Sequence, residues 1–262
     1  MKKLTKNQAL VSIITPLYNA EAYITHTIKS IQDQTYLHWE HIIVNDCSTD
    51  TSLQIVEELA KKDTRIKVVT LSRNSGAAQS RNKATELAQG DYIAFLDSDD
   101  LWHPEKLEKQ LRFMQENKVA VSYTSYVHIN EEGTPIGRRI KALPKLTYKK
   151  QHTNNYVGNL TGIYKTSEIG KIIAPNIRKR QDWAVWLEAI KKGNRPALGL
   201  QEDLAYYRIR EDSMSSNKIN LIKYNFRFYK EYLGYSWITS TCYLLRFFYE
   251  YFFVRPRWIE KI

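Results

Sequence analysis

The sequence predicts an α/β protein with a mostly parallel central sheet flanked by helices. Short apolar runs rich in β-forming residues alternate with helical patterns, and polar residues follow each apolar run. Strands that alternate with helices in this way are typical of parallel sheets. The chain has 262 residues, of which 43% are hydrophobic and 26% are charged, so it can bury a substantial core.

The first hundred residues are expected to supply four strands and three helices. The strands are placed at residues 10–15, 39–44, 66–71 and 92–96. The helices are placed at residues 22–31, from a cap at 48–50 through residue 62, and at 76–88. Pro16 is expected to end the first strand.

Polar residues stand at the end of every predicted strand. They are Pro16 to Asn19 after the first strand, Asp46 after the second, Ser72 to Asn74 after the third and Asp97 to Asp100 after the fourth. In open parallel sheets, ligands bind at the carboxyl ends of the strands. We therefore expect one shared binding site at this edge.

Three carboxylates lie within four residues after the fourth strand: Asp97, Asp99 and Asp100. Carboxylates this close disfavour one another's ionisation unless a cation is present, and Mg²⁺ commonly binds one or two of them together with substrate phosphates. The other interpretation is a loop in which Ser98 or Asp100 caps the next helix. The sequence has no GxxxxGKS or GxxxxGKT loop and no GxGxxG, so bound phosphates would be held by metal and side chains.

Residues 10–103 resemble the nucleotide-binding half of an inverting glycosyltransferase of family 2, as found in bacterial surface-polysaccharide and cell-wall glycan synthesis. The matching segments are residues 11–19 (VSIITPLYN), 44–50 (VNDCSTD), 74–82 (NSGAAQSRN) and 95–100 (FLDSDD). Cys47 stands where a glycine is common and Ser80 where an alanine is common. The resemblance implies the GT-A (Rossmann-like) fold.

The resemblance also implies roles for individual residues. Asp99 and Asp97 would bind a divalent metal ion, Mn²⁺ or Mg²⁺, and Asp46 would accept a hydrogen bond from the base of a UDP-sugar. Tyr18 would stack on that base. The donor-binding set as a whole is Pro16, Tyr18, Glu21, Asp46, Arg81, Asp97, Ser98 and Arg210.

The acceptor half is expected to carry the general base. Residues 179–187 (KRQDWAVWL) resemble the family's Glu-Asp-aromatic motif, with Gln181 in place of the glutamate. Asp182 is the candidate catalytic base, and electrostatics at a helix N-terminus is its alternative role. Gln181, Trp183 and Asp100 are placed on the acceptor side. Arg208, Arg210, Ser213 and Ser215 resemble a loop that closes over the donor diphosphate.

The acceptor half is also expected to contain three strands and a basic loop. The strands are placed at residues 119–129, 159–164 and 204–209, and the loop at residues 138–150.

The net charge of +11 lies in the middle of the chain, since residues 138–195 hold 14 basic and 3 acidic side chains. This excess favours an anionic partner, such as a pyrophosphate-lipid or an acidic glycan acceptor. Residues 219–262 are aromatic and basic, which is typical of a helix lying in the head-group interface of a membrane. The alternative for this tail is a helical hairpin packed on the catalytic domain or on a second subunit, giving a homo-oligomer.

The sequence therefore predicts a UDP-sugar-dependent glycosyltransferase acting on a glycan or lipid-linked glycan acceptor. Residues 1–215 are expected to form the catalytic domain, divided near residue 103 into donor and acceptor halves, with 216–262 as a helical tail. Unpaired cysteines and the lack of a signal-peptide pattern favour the cytoplasmic face of the membrane. A nucleotidyltransferase acting on a sugar phosphate is the main alternative. A non-catalytic nucleic-acid-binding module is disfavoured, because it leaves the acid cluster unexplained, so no nucleic acid is expected.

Overall fold

The computed structural model describes residues 8–177, 179–210 and 218–262. Its first half alternates strands and helices as the sequence predicts. The elements are β1 (Val11–Leu17), α1 (Ile24–Gln32), β2 (Trp39–Asn45), α2 (Ser52–Lys62), β3 (Ile66–Thr70), α3 (Ala77–Leu87), β4 (Tyr92–Phe95), β5 (Leu101–Trp102) and α4 (Lys106–Asn117).

The second half contains shorter strands and a helical C-terminal region. Its elements up to residue 208 are β6 (Val121–Ile129), β7 (Pro135–Ile140), β8 (Lys145–Leu146), α5 (Tyr148–Thr153), a 3₁₀ turn (Asn159–Thr161), β9 (Ile163–Lys165), α6 (Thr166–Ile169), α7 (Gln181–Lys192) and β10 (Ala197–Arg208). The tail contains α8 (Lys218–Arg227), a π-helical segment (Phe228–Tyr232), α9 (Trp237–Tyr249), a second π-helical segment (Glu250–Val254), a 3₁₀ turn (Arg255–Trp258) and β11 (Ile259–Lys261).

The strands of the described residues form one sheet in the order β11-β7-β6-β9-β4-β1-β2-β3, and β10 pairs with β6. β4, β1, β2 and β3 are mutually parallel, as is the β6–β10 pair, while β9 runs antiparallel between β4 and β6. The carboxyl ends of β1, β2 and β4 therefore lie side by side, which is where the sequence places the donor site.

The first strand does not end at Pro16 as predicted but continues through Leu17. On the β4 side, Leu96 N–H donates to the carbonyl of Ile14, and on the β2 side, Asp46 N–H donates to the carbonyl of Leu17. Alternate residues of β1 face alternate neighbours, so the nitrogen of Pro16 points to the side where β4 has ended. No ladder hydrogen bond is lost there, and the strand tolerates the proline.

Residues 138–150, predicted as a loop, form the end of β7, all of β8 and the start of α5. Ile136 and Ile140 are the only apolar residues of β7 apart from Pro135, which left too weak an alternation to recognise. The strand forms because β6 and β11 pair with it on its two sides. Two other predictions also differ: β10 begins seven residues before the predicted start at residue 204, and the predicted strand at 159–164 begins as a 3₁₀ turn.

The core is divided between the two faces of the sheet. Neighbouring residues of one strand enter opposite clusters, Ile14 into one and Ile13 into the other. On the Ile14 side, Trp186 of α7 packs edge-on against Phe95 of β4, with ring centroids 5.8 Å apart. Gly162 permits this approach, since a Cβ there would lie 2.2 Å from the Trp186 ring. Helix α7 is thereby held close to the end of β4.

The tail, residues 218–262, packs against α7 as a helical hairpin, one of the two arrangements expected from its sequence. Trp183 of α7 stacks on Phe228 with ring centroids 4.2 Å apart, and Phe247 of α9 joins the same cluster. Strand β11 pairs with β7 at the edge of the sheet. Within the described ranges, no helix has the length and apolar character needed to cross a bilayer.

Candidate active site

The acidic segment after β4 divides into two partly exposed members and one buried member. The side chains of Asp97 and Asp99 are 31% and 19% exposed, whereas Asp100 is 2% exposed. Arg81 Nη2 donates to Asp97 Oδ1 at 2.6 Å, and Arg210 Nε lies 3.0 Å from Asp99 Oδ2. Each of these two partly exposed carboxylates therefore has one oxygen held by an arginine.

Asp100, placed on the acceptor side from the sequence, is buried and bonded within the fold, and its acceptor-side role remains a prediction. Its Oδ1 accepts a hydrogen bond from the backbone N–H of Arg208 at 2.9 Å, and its carbonyl accepts one from Thr27 Oγ1 at 2.9 Å. Burial, followed by the charges of Asp99 and Asp97, raises the pKa of Asp100 well above its usual range. The residue ties the end of β10 to the loop after β4 and has almost no surface for a ligand to contact.

The partly exposed carboxylates of Asp97 and Asp99 supply hard oxygen atoms that suit a divalent cation. Burial and the charge of Asp97 raise the pKa of Asp99, against the opposing charge of Arg210. A bound cation relieves such a concentration of negative charge. Across the part of the chain that the structure describes, no cluster of three or more His, Cys, Asp or Glu side chains could hold a metal. Two carboxylates are still sufficient for Mg²⁺ or Mn²⁺, which complete their coordination with water and substrate phosphates.

Arg81 of α3 lies among three carboxylates. Burial would lower the pKa of its guanidinium, but the charges of Asp97, Asp182 and Asp99 raise it. Its Nη2 is bonded to Asp97, whereas its Nε is buried and has no hydrogen-bond partner among the described residues. Buried donors are nearly always paired in native proteins, either by protein groups or by ordered water, so this N–H is available to a water or to a ligand oxygen.

Asp182, the candidate base, lies in the first turn of α7 and is partly exposed. Its Oδ2 accepts a hydrogen bond from Asn155 Nδ2 at 2.8 Å. Asp182 lines a small recess together with Arg81, Asn159 and Gln181. Asn159 Nδ2 also lies 3.5 Å from Asp97 Oδ1. Two residues that line the recess with the candidate base, Arg81 and Asn159, therefore also contact the candidate metal ligand Asp97.

Asp46 is buried and binds the start of α3. Its two carboxylate oxygens accept hydrogen bonds from the backbone N–H groups of Ser75 and Gly76, each at 2.7 Å. Gly76 has φ 87, a left-handed conformation that favours glycine. This geometry fixes the beginning of the helix that carries Arg81. The predicted contact of Asp46 with a base remains a prediction.

The other predicted donor-side residues are spread around the ends of β1 and β4. Tyr18 is 51% exposed, as a base-stacking ring requires, whereas Pro16 is buried within β1. Glu21 Oε2 accepts hydrogen bonds from Thr51 N–H at 2.9 Å and Thr51 Oγ1 at 2.6 Å. The carbonyl of Ser98 accepts one from Thr27 Oγ1 at 3.0 Å. Ser98 thus lies between the two candidate metal ligands, whereas Pro16, Tyr18 and Glu21 form no hydrogen bond with Asp97 or Asp99 among the described residues.

Arg208 and Arg210, at the end of β10, close one side of the acidic segment. Arg208 Nε donates to the carbonyl of Asp99 at 2.7 Å, and both guanidinium groups lie over the ring of Tyr23. Tyr23 O–H in turn donates to Glu131 at 3.2 Å. Ser213 and Ser215, predicted to belong to the same loop, lie outside the described residues. Sequence reasoning did not identify Tyr23, which has only its position just before α1 as a signal.

Two residues placed on the acceptor side point away from the recess or only border it. Trp183 is fully buried, and its Nε1 donates to the carbonyl of Gln151 at 2.7 Å. Trp183 therefore holds α7 in place from within the core and has no exposed surface for an acceptor to contact. Gln181 lines the recess, but its Nε2 donates to the carbonyl of Ile177. Asn155 contacts Asp182, and Asn159 contacts Asp97. Neither was identified from the sequence, because isolated asparagines give no distinctive signal.

The sequence profile of glycosyl transferase family 2 matches residues 12–170 of this chain. The chain belongs to glycosyltransferase family 2. It is 49% identical over 228 residues to the putative teichuronic acid biosynthesis glycosyltransferase TuaG of Bacillus subtilis, a match covering 87% of this chain and 90% of TuaG. This membership confirms the predicted class of enzyme, a glycosyltransferase, and decides against a nucleotidyltransferase.

Two further comparisons place this family 2 enzyme among characterised proteins. It is 38% identical over 214 residues to the Escherichia coli UDP-Glc:alpha-D-GlcNAc-diphosphoundecaprenol beta-1,3-glucosyltransferase WfgD, covering 82% of this chain and 83% of WfgD. It matches the crystal structure of S. aureus TarS 1–349 in complex with UDP-GlcNAc with a TM-score of 0.71 and 28% identity, covering 92% of this chain and 73% of that one. The structural match confirms the predicted GT-A fold.

Proposed function

We propose that this enzyme transfers a sugar from a UDP-sugar, with inversion and with a divalent metal ion, to a hydroxyl of a lipid-linked surface glycan. Candidate glycans are capsule, lipopolysaccharide and teichoic or teichuronic polymers. The position of Arg81 carries the proposal, since this arginine is bonded to Asp97 and also experiences the charge of Asp182. The candidate metal ligands and the candidate base thus flank one arginine. The name of WfgD specifies UDP-Glc as donor and a diphosphoundecaprenol-linked acceptor, and TarS is described in complex with UDP-GlcNAc. Both agree with the proposed donor class.

In the proposed reaction, the acceptor hydroxyl attacks the anomeric carbon from the side opposite the diphosphate. Asp182 would remove the proton from that hydroxyl, a contribution of about 10²–10⁴-fold for a positioned general base. The free Nε of Arg81 would hold a donor oxygen, and Arg210 would close over the diphosphate. Binding donor and acceptor on the two sides of the recess would supply the alignment that an in-line displacement requires.

A divalent cation, Mn²⁺ or Mg²⁺, would be held by Asp97 and Asp99. When bound, it would neutralise charge on the departing nucleoside diphosphate. The two carboxylates supply hard oxygen ligands. Burial and then the charge of Asp97 raise the pKa of Asp99, and a bound cation would offset that charge.

The first test is a UDP-release assay with a panel of nucleotide sugars, with and without a lipid-linked acceptor analogue. Asp182→Asn is expected to lose transfer by at least about 10²-fold while retaining donor binding. Asp99→Asn is expected to lose metal-dependent donor binding. If Asp182→Asn transfers sugar at the wild-type rate, Asp182 is not the base. If no nucleotide sugar binds with any metal, the proposed donor class is wrong.

Peripheral membrane contact through the tail is part of the same proposal. One face of α9 and the segment after it exposes large apolar side chains: Trp237, Ile238, Leu245, Tyr249, Phe252 and Phe253. The exposed Arg246 and Arg257 lie among them, and the single acid between residues 232 and 259, Glu250, is buried in a pair with Lys150. Apolar and cationic groups without exposed acids complement an anionic lipid surface. The division into residues 1–215 and 216–262 and the location at the cytoplasmic face remain proposals with it.

Vesicle co-sedimentation tests the membrane contact. The wild-type protein is expected to bind vesicles containing anionic phospholipid, and Leu245→Glu and Phe252→Glu are expected to weaken binding. Leu37→Glu changes an exposed leucine outside the tail and is the matched control. A dimer in light scattering that both tail variants dissociate, with no vesicle binding by the wild type, would show instead that this face binds a second copy.

The basic middle segment is proposed to meet the anionic acceptor, but part of its charge is neutralised within the fold. Arg139 pairs with Asp203 and Glu260, and Lys150 pairs with Glu250. Arg138 is exposed and is the better candidate for an acceptor contact.

A further inference from the structure

The carboxamide of Asn155 is held in one orientation. Its Nδ2 donates to Asp182 Oδ2 at 2.8 Å, and its Oδ1 accepts from Gln151 Nε2 at 2.8 Å. Gln151 is itself fixed, because its Oε1 accepts from the backbone N–H of Tyr156 at 2.9 Å. If the Asn155 amide were flipped, its Oδ1 would face the acceptor Asp182 Oδ2 and its Nδ2 would face the donor Gln151 Nε2, and neither pair could form a hydrogen bond. The N–H of Asn155 must therefore face Asp182.

This contact determines which oxygen of Asp182 is available. An ionised carboxylate only accepts hydrogen bonds, and Asn155 engages Oδ2. Because Asn155 already occupies one acceptor site of Oδ2, we assign Oδ1 as the oxygen that takes the proton of the acceptor hydroxyl. The hydrogen bond also restricts rotation of the carboxylate, so the base is oriented before the acceptor binds.

The C-terminal tail holds Asn155 from the other side. Arg255 Nη1 donates to the carbonyl of Asn155 at 2.8 Å and to Asn154 Oδ1 at 2.8 Å. Glu250 accepts a hydrogen bond from Tyr156 O–H at 2.7 Å. Two side chains about 100 residues farther along the chain thus bind the residues on either side of the Asn155 carboxamide.

We propose that Asn155 is the positioning residue for the base Asp182, and that Arg255 of the tail acts through Asn155. Arg255 and Glu250 of the tail therefore help to position the candidate base. This inference depends on the proposed role of Asp182 as general base. The catalytic half would be incomplete without the tail even in an assay that uses a water-soluble acceptor and no membrane.

Steady-state kinetics of single and double variants of the full chain test the proposal. Asn155→Ala is expected to lower kcat by up to about 10²-fold, the cost of misplacing a catalytic group by about 1 Å, with the donor KM and the dissociation constant for UDP unchanged. Arg255→Ala is expected to lower kcat by about tenfold through loss of the brace. Arg255→Lys should recover part of that loss. Arg227→Ala, which removes an exposed tail arginine, is the matched control.

The double variant Asn155→Ala, Arg255→Ala separates positioning from general support of the fold. If Arg255 acts through Asn155, the double variant is no slower than Asn155→Ala alone. Losses in kcat that multiply would overturn the proposed coupling. Wild-type kcat in Asn155→Ala, or an equal loss of UDP affinity, would overturn the positioning role.

The isosteric Asn155→Asp variant guards against a folding defect, because its carboxylate can still accept from Gln151. Two carboxylates at hydrogen-bonding distance cannot both ionise readily, so the acidic limb of its pH–kcat profile should move to higher pH. A profile identical to that of the wild type would overturn the proposal. Asp182→Asn distinguishes the two levels of inference: if it is inactive while Asn155→Ala is fully active, only the positioning role fails, and if it is fully active, the base assignment fails.

Discussion

Replacing Gly162 by alanine should displace the helix that carries the candidate base. The new Cβ would lie 2.2 Å from Cη2 and Cζ2 of Trp186. Reaching ordinary contact at ~3.5 Å requires a shift of roughly 1.3 Å. The Trp186 ring is confined by Phe95 and Tyr164, at centroid distances of 5.8 and 6.2 Å, so α7 must move with it.

Overpacking of this kind costs about 1–3 kcal/mol. At roughly 2–4 °C per kcal/mol for a chain of this size, the Tm should fall by about 2–12 °C. Asp182 lies one turn before Trp186 on α7, so kcat should fall as well, by about 10–100-fold for a shift near 1 Å. Thermal unfolding followed by circular dichroism and the UDP-release assay measure the two effects.

Trp186→Phe provides the matched background, because it removes the two ring atoms that the new methyl group would meet. The indole Nε1 has no hydrogen-bond partner within the described residues, so phenylalanine forfeits no known hydrogen bond. Gly162→Ala should cost distinctly less in this background. An unchanged Tm in the single variant, or an equal loss in both backgrounds, would refute the reasoning.

Three further predictions concern pH, charge and metal. Burial lowers the pKa of His41 to about 3, so the unfolded chain binds a proton below its pKa of about 6.5 that the folded protein excludes. The free energy of unfolding should therefore decrease as the pH falls from 6.5 towards 3, by at most about 1.4 kcal/mol per pH unit. Urea unfolding measures this decrease. It should be smaller in His41→Gln and the same as in the wild type in the exposed control His26→Gln. Arg139→Glu should lower the Tm because it breaks two ion pairs. Arg138→Glu should leave the Tm and donor hydrolysis unchanged and slow transfer to an anionic acceptor. Unchanged acceptor kinetics in Arg138→Glu would contradict the acceptor proposal. EDTA should abolish UDP release and Mn²⁺ or Mg²⁺ should restore it, so release that persists in chelator would exclude the metal proposal.

The donor half was predictable because its signals are local. Each parallel strand is a short apolar run followed by polar residues, and the motif around Asp97 and Asp99 lies directly after β4. The sequence could not show which of the three neighbouring acids is turned inward. Asp100 is buried because it accepts a hydrogen bond from Arg208, 108 residues away.

The acceptor half depends on contacts between distant segments, which leave little trace in local sequence. β7 is stabilised by pairing with β11, about 120 residues later, and has only a weak apolar alternation of its own. The same applies to Asn155, whose role depends on Asp182 and Arg255 reaching it from two other elements. Sequence composition left two arrangements open for the tail, and the stacking of Trp183 on Phe228 shows that one side of it is packed against α7.

The contact of Asp46 with the start of α3 has a consequence for redesign of donor preference. The Asp46 carboxylate, which binds the backbone of Ser75 and Gly76, also sets the position of α3, and Arg81 of α3 donates to Asp97. The residue proposed to contact the base and the arginine proposed to contact the donor are therefore coupled through the same helix, α3. Libraries that randomise position 46 alone would disturb both at once, whereas libraries that vary it together with positions 73–76 can restore the helix start while changing the base that is accepted.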